Sequence, residues 1–254
     1  MAKQPTHEEL LKAAIWSQLS RVYTSIPCII VTVHDNLEEQ RVDVQPCINL
    51  MKDDGTIEER GVILNVPVMF PSSSTSAITF PLNVGDNVAC LFSMRAMEVF
   101  NESDGKPSTP DNYAKFNQKD AYCIPGLQTR RASVNNPANH RLTHNTKDLV
   151  VCHNIGTANE VEIRLKPNGD MIVTSPNKVE VKCKTAVINA TTSLAVTSPN
   201  TTWNGNIVHN GTLSTTTVIA TSVTATNVTG GGKSLSNHVH SNVQSGSSNS
   251  GPPV

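Results

Sequence analysis

The charge of this chain is confined to its first 184 residues. Of its 41 charged residues, 40 precede residue 185, and Lys233 is the only one in residues 185–254. Those last 70 residues contain 34 Ser, Thr or Asn residues and one aromatic residue, Trp203. A single uniform globular domain does not divide its composition in this way. The division therefore predicts two different kinds of structure joined end to end.

Composition excludes several classes of protein. A formal net charge of -1 gives no basic field for nucleic acid or acidic lipid. No apolar run approaches the ~20 residues of a membrane helix, and residues 1–11 are too polar for a secretory signal. The cysteines are scattered without a CxxC pair, which predicts free thiols in a protein made in the cytosol. They are Cys28, Cys47, Cys90, Cys123, Cys152 and Cys183.

The amino terminus, residues 1–25, predicts one short helix over residues 6–23. Thr6 and Glu9 have the spacing of a capping box, in which both side chains bind amides of the first turn. An apolar stripe along this helix requires a partner surface, and Pro27 prevents the helix from continuing. The stripe consists of Leu11, Ile15, Leu19 and Val22.

Residues 26–127 change to a period of two, which predicts strands. Val42 and Val44 alternate with Asp43 and Gln45, so one face of that strand is expected to be buried. Four or five short strands in this length favour a small closed barrel of the OB type. The predicted strands are residues 28–33, 41–48, 61–70, 87–93 and 121–126.

Residues 128–147 are basic and rich in asparagine, and we interpret them as a linker. A docking segment is the alternative, and a solvated loop is the interpretation we adopt for Arg130, Arg131, His140, Arg141 and His144. From residue 148 to residue 229 the expected strands become shorter and more regular. They are residues 149–153, 160–166, 170–174, 178–184, 186–190 and 193–197.

The polar tail admits two interpretations, disorder or strand structure. Disorder accompanies charge and few β-branched residues, whereas this tail is rich in Thr, Val and Ile. The sequence Val-Thr-Ser-Pro-Asn occurs at residues 173–177 and again at 196–200, which suggests stacked units, with chance repetition as the alternative. A single run of short strands has no core, but three copies could bury one another's side chains and pair their edges. We therefore predict a homotrimeric, intertwined β-helix or β-prism.

A His-x-His pair, His238 and His240, lies in the last segment, residues 230–254. In an extended strand both imidazoles point to one face. Around a three-fold axis they would supply six nitrogens, a full octahedral shell that suits a structural transition metal better than zinc. Two solvated histidines are the alternative. A metalloenzyme would need a distant carboxylate as third ligand, because none follows Glu180.

Three stretches resemble the central spike proteins of contractile-tailed phages of the Mu kind. The run Leu-Ser-Asn-His-Val-His at residues 235–240, with the following Gly/Ser-rich stretch and Gly-Pro-Pro at 251–253, resembles the apex of those spikes. Residues 82–93 and 120–126 resemble their OB-fold domain. The resemblance extends from about residue 26 to the end of the chain and leaves the N-terminal helix outside.

This resemblance implies an all-β homotrimer: an OB-fold collar, a triple-stranded β-helix shaft and a metal-bound apex. It implies one iron ion per trimer, held by His238 and His240 of each chain. The shaft would carry no carboxylate-bound calcium near its tip, and the chain has no room for a lysozyme-like insertion. The resemblance leaves open whether the shaft binds further ions.

The implied function is mechanical and not enzymatic, with no small-molecule substrate or nucleic-acid ligand. The spike, made in the host cytoplasm, would sit at the baseplate tip of the virion. There it would attach to hub or tail-tube proteins through its N-terminal region and pierce the host outer membrane when the sheath contracts. One alternative is a receptor-binding tail fibre or adhesin, although such shafts end in aromatic-rich heads. Another is the spike of a related contractile secretion system.

Overall fold

The computed structural model of this protein describes residues 6–20, 22–52, 54–230 and 233–234. The chain divides into two compact units, Met1–Lys182 and Cys183–Val254. The elements are overwhelmingly strands, as the all-β prediction required. None of the helices in the described ranges is long and apolar enough to cross a membrane.

Helix α1 spans His7–Leu19 and begins with the predicted capping box. The Thr6 amide donates to Glu9 Oε2 at 2.7 Å, and the Glu9 amide donates to Thr6 Oγ1. The helix ends four residues before the predicted end at residue 23. Tyr23 already belongs to the barrel, because its amide donates to the Phe116 carbonyl and its ring packs on Phe92. Every residue of α1 is exposed.

Seven strands and a short helix form the region between α1 and residue 126. The strands are β1 Ser25–Val33, β2 Arg41–Pro46, β3 Leu50–Met51, β4 Ile57–Glu58, β5 Ile63–Pro67, β6 Asn87–Phe92 and β7 Ala121–Pro125. Helix α2, Glu98–Asn101, precedes the polar loop between β6 and β7. The five longer strands agree with the predicted ones, whereas the β3–β4 hairpin was not predicted.

The five longer strands form one antiparallel sheet in the order β5-β2-β1-β6-β7. The sheet curls until its two edges meet in a parallel bridge between Val68 and Cys123. There the Met69 amide donates to the Cys123 carbonyl at 2.8 Å. The edge strands are therefore joined to each other, which reduces the unpaired edge that an open sheet would present.

The barrel interior is filled by alternate residues of these strands. Val42 and Val44 are fully buried, as their alternation with polar residues predicted. The core consists of Cys28, Ile30, Val42, Val44, Ile63, Val66, Val68, Phe70, Leu82, Val88, Cys90, Phe92, Ala121 and Cys123.

Three thiols buried in this core, those of Cys28, Cys90 and Cys123, should react slowly with alkylating reagents. Burial raises the pKa of Cys123 to about 12, and the hydrogen bond to Cys90 together with burial raises the pKa of Cys28. At pH 8 the thiolate fraction of Cys123 is then about 10⁻⁴. We expect N-ethylmaleimide to modify Cys47, which is exposed, at least about 100-fold faster than these three, as measured by mass spectrometry of peptides. Equal rates in the native protein would contradict this packing, and equal rates after denaturation are the control.

A second sheet follows residue 148. Its strands, β8 Leu149–His153, β9 Val161–Leu165 and β10 Met171–Thr174, pair in the order β10-β9-β8. All three lie within the predicted ranges. The turn between β9 and β10 places Gly169 at a φ of +90°, a conformation that favours glycine. Near the end of the described residues, β11 Thr229–Gly230 and β12 Lys233–Ser234 form a small hairpin.

The strands predicted at residues 178–184, 186–190 and 193–197 do not form in this single chain. Residues 175–228 are described throughout and contain no strand. A strand needs a neighbour to satisfy its backbone N–H and C=O groups, and within the described part of the chain no other segment pairs with this one. Local preference for extended structure was therefore insufficient to make a sheet here.

Candidate functional site

The three-stranded sheet has one apolar face, and that face is exposed. Across the strands, Leu149, Leu165 and Met171 lie in one row, and Val151, Ile163 and Val173 lie in the next. These six side chains are 42–65 % exposed. We call them the apolar face. None of them is charged, so a partner that covers them would bury an uninterrupted hydrophobic surface.

The opposite face of the same sheet, which we call the polar face, holds the two charged side chains of β9 beside Val150, Cys152, Ile172 and Thr174. Glu162 and Arg164 alternate with Ile163 and Leu165 along β9, so period two sends the charges to one side and the apolar residues to the other. This polar face is contacted by residues 134–147, which we call the strap. Arg164 donates from Nη1 to the Thr143 carbonyl of the strap.

Glu160 joins the strap to the loop between β8 and β9. Its carboxylate accepts hydrogen bonds from the amides of Arg141 at 2.6 Å, Leu142 at 3.3 Å and Gly156 at 3.0 Å. Gly156 has a φ of +76°, and a Cβ there would lie 2.7 Å from the Asn139 carbonyl oxygen. Glycine is therefore required where the loop meets the strap.

His140 completes the shell of Glu160. Its Nδ1 lies 2.7 Å from Glu160 Oε1 and its Nε2 lies 2.7 Å from the Val134 carbonyl oxygen, while its ring stacks on His144 at 4.0 Å. Carboxylate and carbonyl oxygens only accept hydrogen bonds, so the ring of His140 is the donor toward them. The side chains of His140 and Glu160 are each 1 % exposed and form a buried hydrogen-bonded pair.

The hydrogen bonds outweigh the burial of Glu160 in setting its pKa. Burial by itself raises the pKa of this carboxyl, but the amides of Arg141, Gly156 and Leu142 and the His140 ring lower it further. The net pKa lies below the ordinary value of 4.5. Glu160 is therefore ionised at neutral pH and holds the strap in its charged form.

Arg164 lies between two further carboxylates, which are also buried. Its Nη2 is 3.2 Å from Glu162 Oε1, and its Nε is 3.7 Å from Asp148 Oδ2. The side chains of Glu162 and Asp148 are only 1 % and 3 % exposed. Removing a charge from such a group leaves an uncompensated partner in a medium of low polarity.

The segment after the sheet has no interior. Every residue from 176 to 230 is exposed. Its large apolar side chains are Val179, Val181, Val187, Ile188, Leu194, Val196, Trp203, Ile207, Val208, Leu213, Val218, Ile219, Val223 and Val228. Exposed apolar side chains over a segment of this length are typical of a surface that binds a partner.

Residues 26–126 match the family model described as the Phage protein Gp138 N-terminal domain. The barrel is similar to a phage protein domain. The match spans β1–β7 and ends before the strap, and a search of curated proteins finds no match to the chain. The coarser part of the predicted resemblance, a phage structural or tail-related protein, is thereby supported. The spike and its iron stay predictions.

The predicted metal ligands, His238 and His240, lie outside the described residues. Elsewhere, in residues 6–20, 22–52, 54–230 and 233–234, no three His, Cys, Asp or Glu side chains are grouped to hold a metal ion. Among the other histidines, His34 contacts Asp43 at 2.8 Å, and His209 lies in the exposed segment.

Sequence reasoning missed the polar face and the strap. It treated His140 and His144 as part of a solvated loop, whereas His140 is buried against Glu160. The available signal was the alternation in β9, where Glu162 and Arg164 share one face of an otherwise apolar strand. A charged pair on the face expected to be buried would have indicated a covering segment with matching charges.

Proposed function

We propose that this chain is the central spike of a contractile phage tail, assembled as a homotrimer. The observation that carries the proposal is the exposure of every residue from 176 to 230 in a segment rich in Val, Ile and Thr. Two further copies would supply the missing strand neighbours and would cover the apolar side chains. The phage domain at residues 26–126 supports the assignment to a virion.

The barrel would be the collar that joins this spike to the baseplate. Its strand order and the parallel closure between Val68 and Cys123 support an OB-type barrel. Helix α1 precedes it and exposes Leu11, Ile15 and Leu19. An exposed apolar stripe at this end supports attachment to hub or tail-tube proteins through the N-terminal region.

The function would be mechanical. Three intertwined copies of a segment with small side chains make a narrow rod, and an almost uncharged rod has little charge to desolvate as it enters a membrane. Sheath contraction would drive this rod through the host outer membrane. No step of this mechanism breaks or forms a covalent bond, so the proposed protein is not an enzyme.

The tip would be closed by iron held by His238 and His240 of each chain. Two imidazoles from each of three chains provide six nitrogen donors, and neutral imidazole is a suitable ligand for iron. A filled coordination shell leaves no position for a substrate, so the metal would join three chain ends where little core is available.

The proposal is tested by the mass and metal content of the purified full-length chain. We expect light scattering to give three times the chain mass of 27.3 kDa, and elemental analysis to give one iron per three chains. Acid should release the metal because the ligands must be unprotonated. A monomer in solution would overturn the spike, and a trimer without metal would overturn the tip.

Substitution of the ligands separates the tip from the shaft. The double variant His238→Ala/His240→Ala should lose all iron and stay trimeric. His209→Ala, at an exposed histidine of the segment, is the matched control and should keep its iron. Retention of iron by the double variant would show that other residues hold it.

A further inference from the structure

Two of the thiols inside the barrel stand directly opposite each other. Cys90 on β6 and Cys123 on β7 are register partners in an antiparallel pair, and both side chains are fully buried in the core. Register partners point to the same side of a sheet, so both thiols face the barrel interior. Each thiol therefore has another thiol as its direct cross-strand neighbour.

Backbone hydrogen bonds place this pair at the narrow spacing of the ladder. The Cys123 carbonyl accepts from the Met69 amide, which lies on the side of β7 away from β6. At the other end of the ladder the Ser93 amide donates to the Asp120 carbonyl, and bonded and non-bonded pairs alternate from there. Cys90 and Cys123 are thus a non-hydrogen-bonded pair, for which the Cα atoms lie about 4.5 Å apart. A disulfide accommodates Cα separations of about 4.4–6.8 Å.

Cys28, the third thiol of the core, is less well placed for a cross-link. Its thiol is hydrogen-bonded to Cys90, but its register partner on β6 is Val88. Cys28 and Cys90 are therefore diagonal neighbours, whose Cα atoms in a sheet lie about 7–8 Å apart. A disulfide cannot span more than about 7 Å without movement of the backbone. The register thus selects Cys123 as the partner of Cys90.

We propose that Cys90 and Cys123 are a cross-linking site, at which a peroxide joins β6 to β7 through a disulfide. One thiol attacks the peroxide, whose O–O bond breaks, and this sulfur becomes a sulfenic acid while one water leaves. The other thiol then attacks the sulfenic sulfur, so that the S–S bond forms and a second water leaves. The two thiols lose two electrons and two protons, and hydrogen peroxide is reduced to two waters.

Burial makes this reaction slow, and the position of β7 makes it accessible. β7 is an edge strand of the sheet and closes the barrel at the bridge between Val68 and Cys123. Local opening at such an edge admits the oxidant, and return of the strand to its register brings the two sulfurs together. A reducing cytosol keeps both thiols reduced, whereas an oxidising exterior permits the cross-link. The reaction involves one chain only and does not depend on the proposed spike.

The cross-link would hold the barrel at the place where it closes. Cys123 already contacts β5 through its carbonyl, which accepts from the Met69 amide at 2.8 Å. A bond from Cys123 to Cys90 therefore ties β7 covalently to β6 while β7 still holds the opposite edge. In the unfolded chain the same bond closes the loop of residues 90–123 and reduces the conformational freedom of that state.

Oxidation of the full-length protein tests the site. In a Cys47→Ser/Cys183→Ser background, which removes the two exposed thiols, the reduced protein is incubated with hydrogen peroxide. It is then unfolded in N-ethylmaleimide and digested without reductant. Mass spectrometry should find peptides joined through Cys90 and Cys123, with Cys28 alkylated. A bond between Cys28 and Cys90, or any product that leaves Cys90 and Cys123 unjoined, would overturn the proposal.

Two variants and the stability of the barrel complete the test. Cys123→Ala should abolish the cross-link, whereas Cys28→Ala, the matched control at the third buried thiol, should leave it unchanged. The cross-link should lower the equilibrium constant for unfolding of the barrel at least about 30-fold, measured from urea unfolding of the oxidised and reduced forms. An oxidised form no more stable than the reduced form would show that the native register does not accommodate the bond, and would overturn the site.

Discussion

Replacing Glu160 by alanine should lower the free energy of unfolding of the Met1–Lys182 unit by about 3–5 kcal/mol. The variant leaves the buried His140 ring without its carboxylate partner, and it removes the acceptor of the Arg141, Leu142 and Gly156 amides. Each of these groups then loses its partner in an environment that excludes water. The midpoint of thermal unfolding and the hydrogen exchange of the strap amides measure the effect.

Conservative and surface variants define what Glu160 contributes. Glu160→Gln keeps one acceptor oxygen and should cost less than the alanine variant. Glu180→Ala removes an exposed carboxylate that contacts Lys178 and Lys182, and we expect almost no change in stability. If Glu160→Ala unfolded at the same temperature as the parent protein, the strap would have to be held by other contacts.

The pH dependence follows from the direction of the Glu160 pKa. Its folded-state pKa lies below the ordinary value of 4.5, so the contribution of Glu160 is fully present above pH 4.5 and is lost as the pH falls through the folded pKa. Acid unfolding of the parent protein should therefore show a stability loss below pH 4.5 that Glu160→Gln lacks. Identical acid profiles for the two proteins would contradict this assignment.

Replacing Arg164 by methionine should have an effect of similar size. Methionine keeps much of the side-chain length but removes the cation that faces Glu162 and Asp148. Two carboxylates with 1 % and 3 % exposure then lose the positive charge beside them, at a cost of about 3–5 kcal/mol. The bond from Arg164 to the Thr143 carbonyl is lost as well.

A double-variant cycle tests whether this cost is electrostatic. Adding Glu162→Gln to Arg164→Met should recover part of the lost stability, with a coupling of about 1–3 kcal/mol. Arg130→Met, at an exposed arginine of the preceding segment, should change stability little and serves as control. Additive effects of the two substitutions would show that Arg164 acts through packing instead of charge.

Local signals predicted the individual elements well. The capping box of Thr6 and Glu9 located the start of α1. The alternation of Val42 and Val44 with polar residues located a barrel strand. Both patterns involve only residues within one helical turn or along one strand. Each of these features depends on neighbouring residues only, so composition and spacing were sufficient.

Contacts between distant residues could not be predicted in this way. Glu160 binds amides 18 and 19 residues earlier in the chain, and Arg164 binds a carbonyl 21 residues earlier. No periodicity connects such positions, since their proximity results from the path of the whole chain. The same limit applies to the strands expected after residue 178, which need neighbours that a single chain does not provide.

The sequence by itself determined the division between a charged barrel-containing part and an uncharged part, because charge and β-branched content are properties of each segment alone. It also determined which residues alternate in each strand. Only the tertiary structure decided which side of the second sheet the strap covers. The strap covers the charged side through Glu160 and Arg164, because buried charges must find partners, and the apolar side is thereby left exposed.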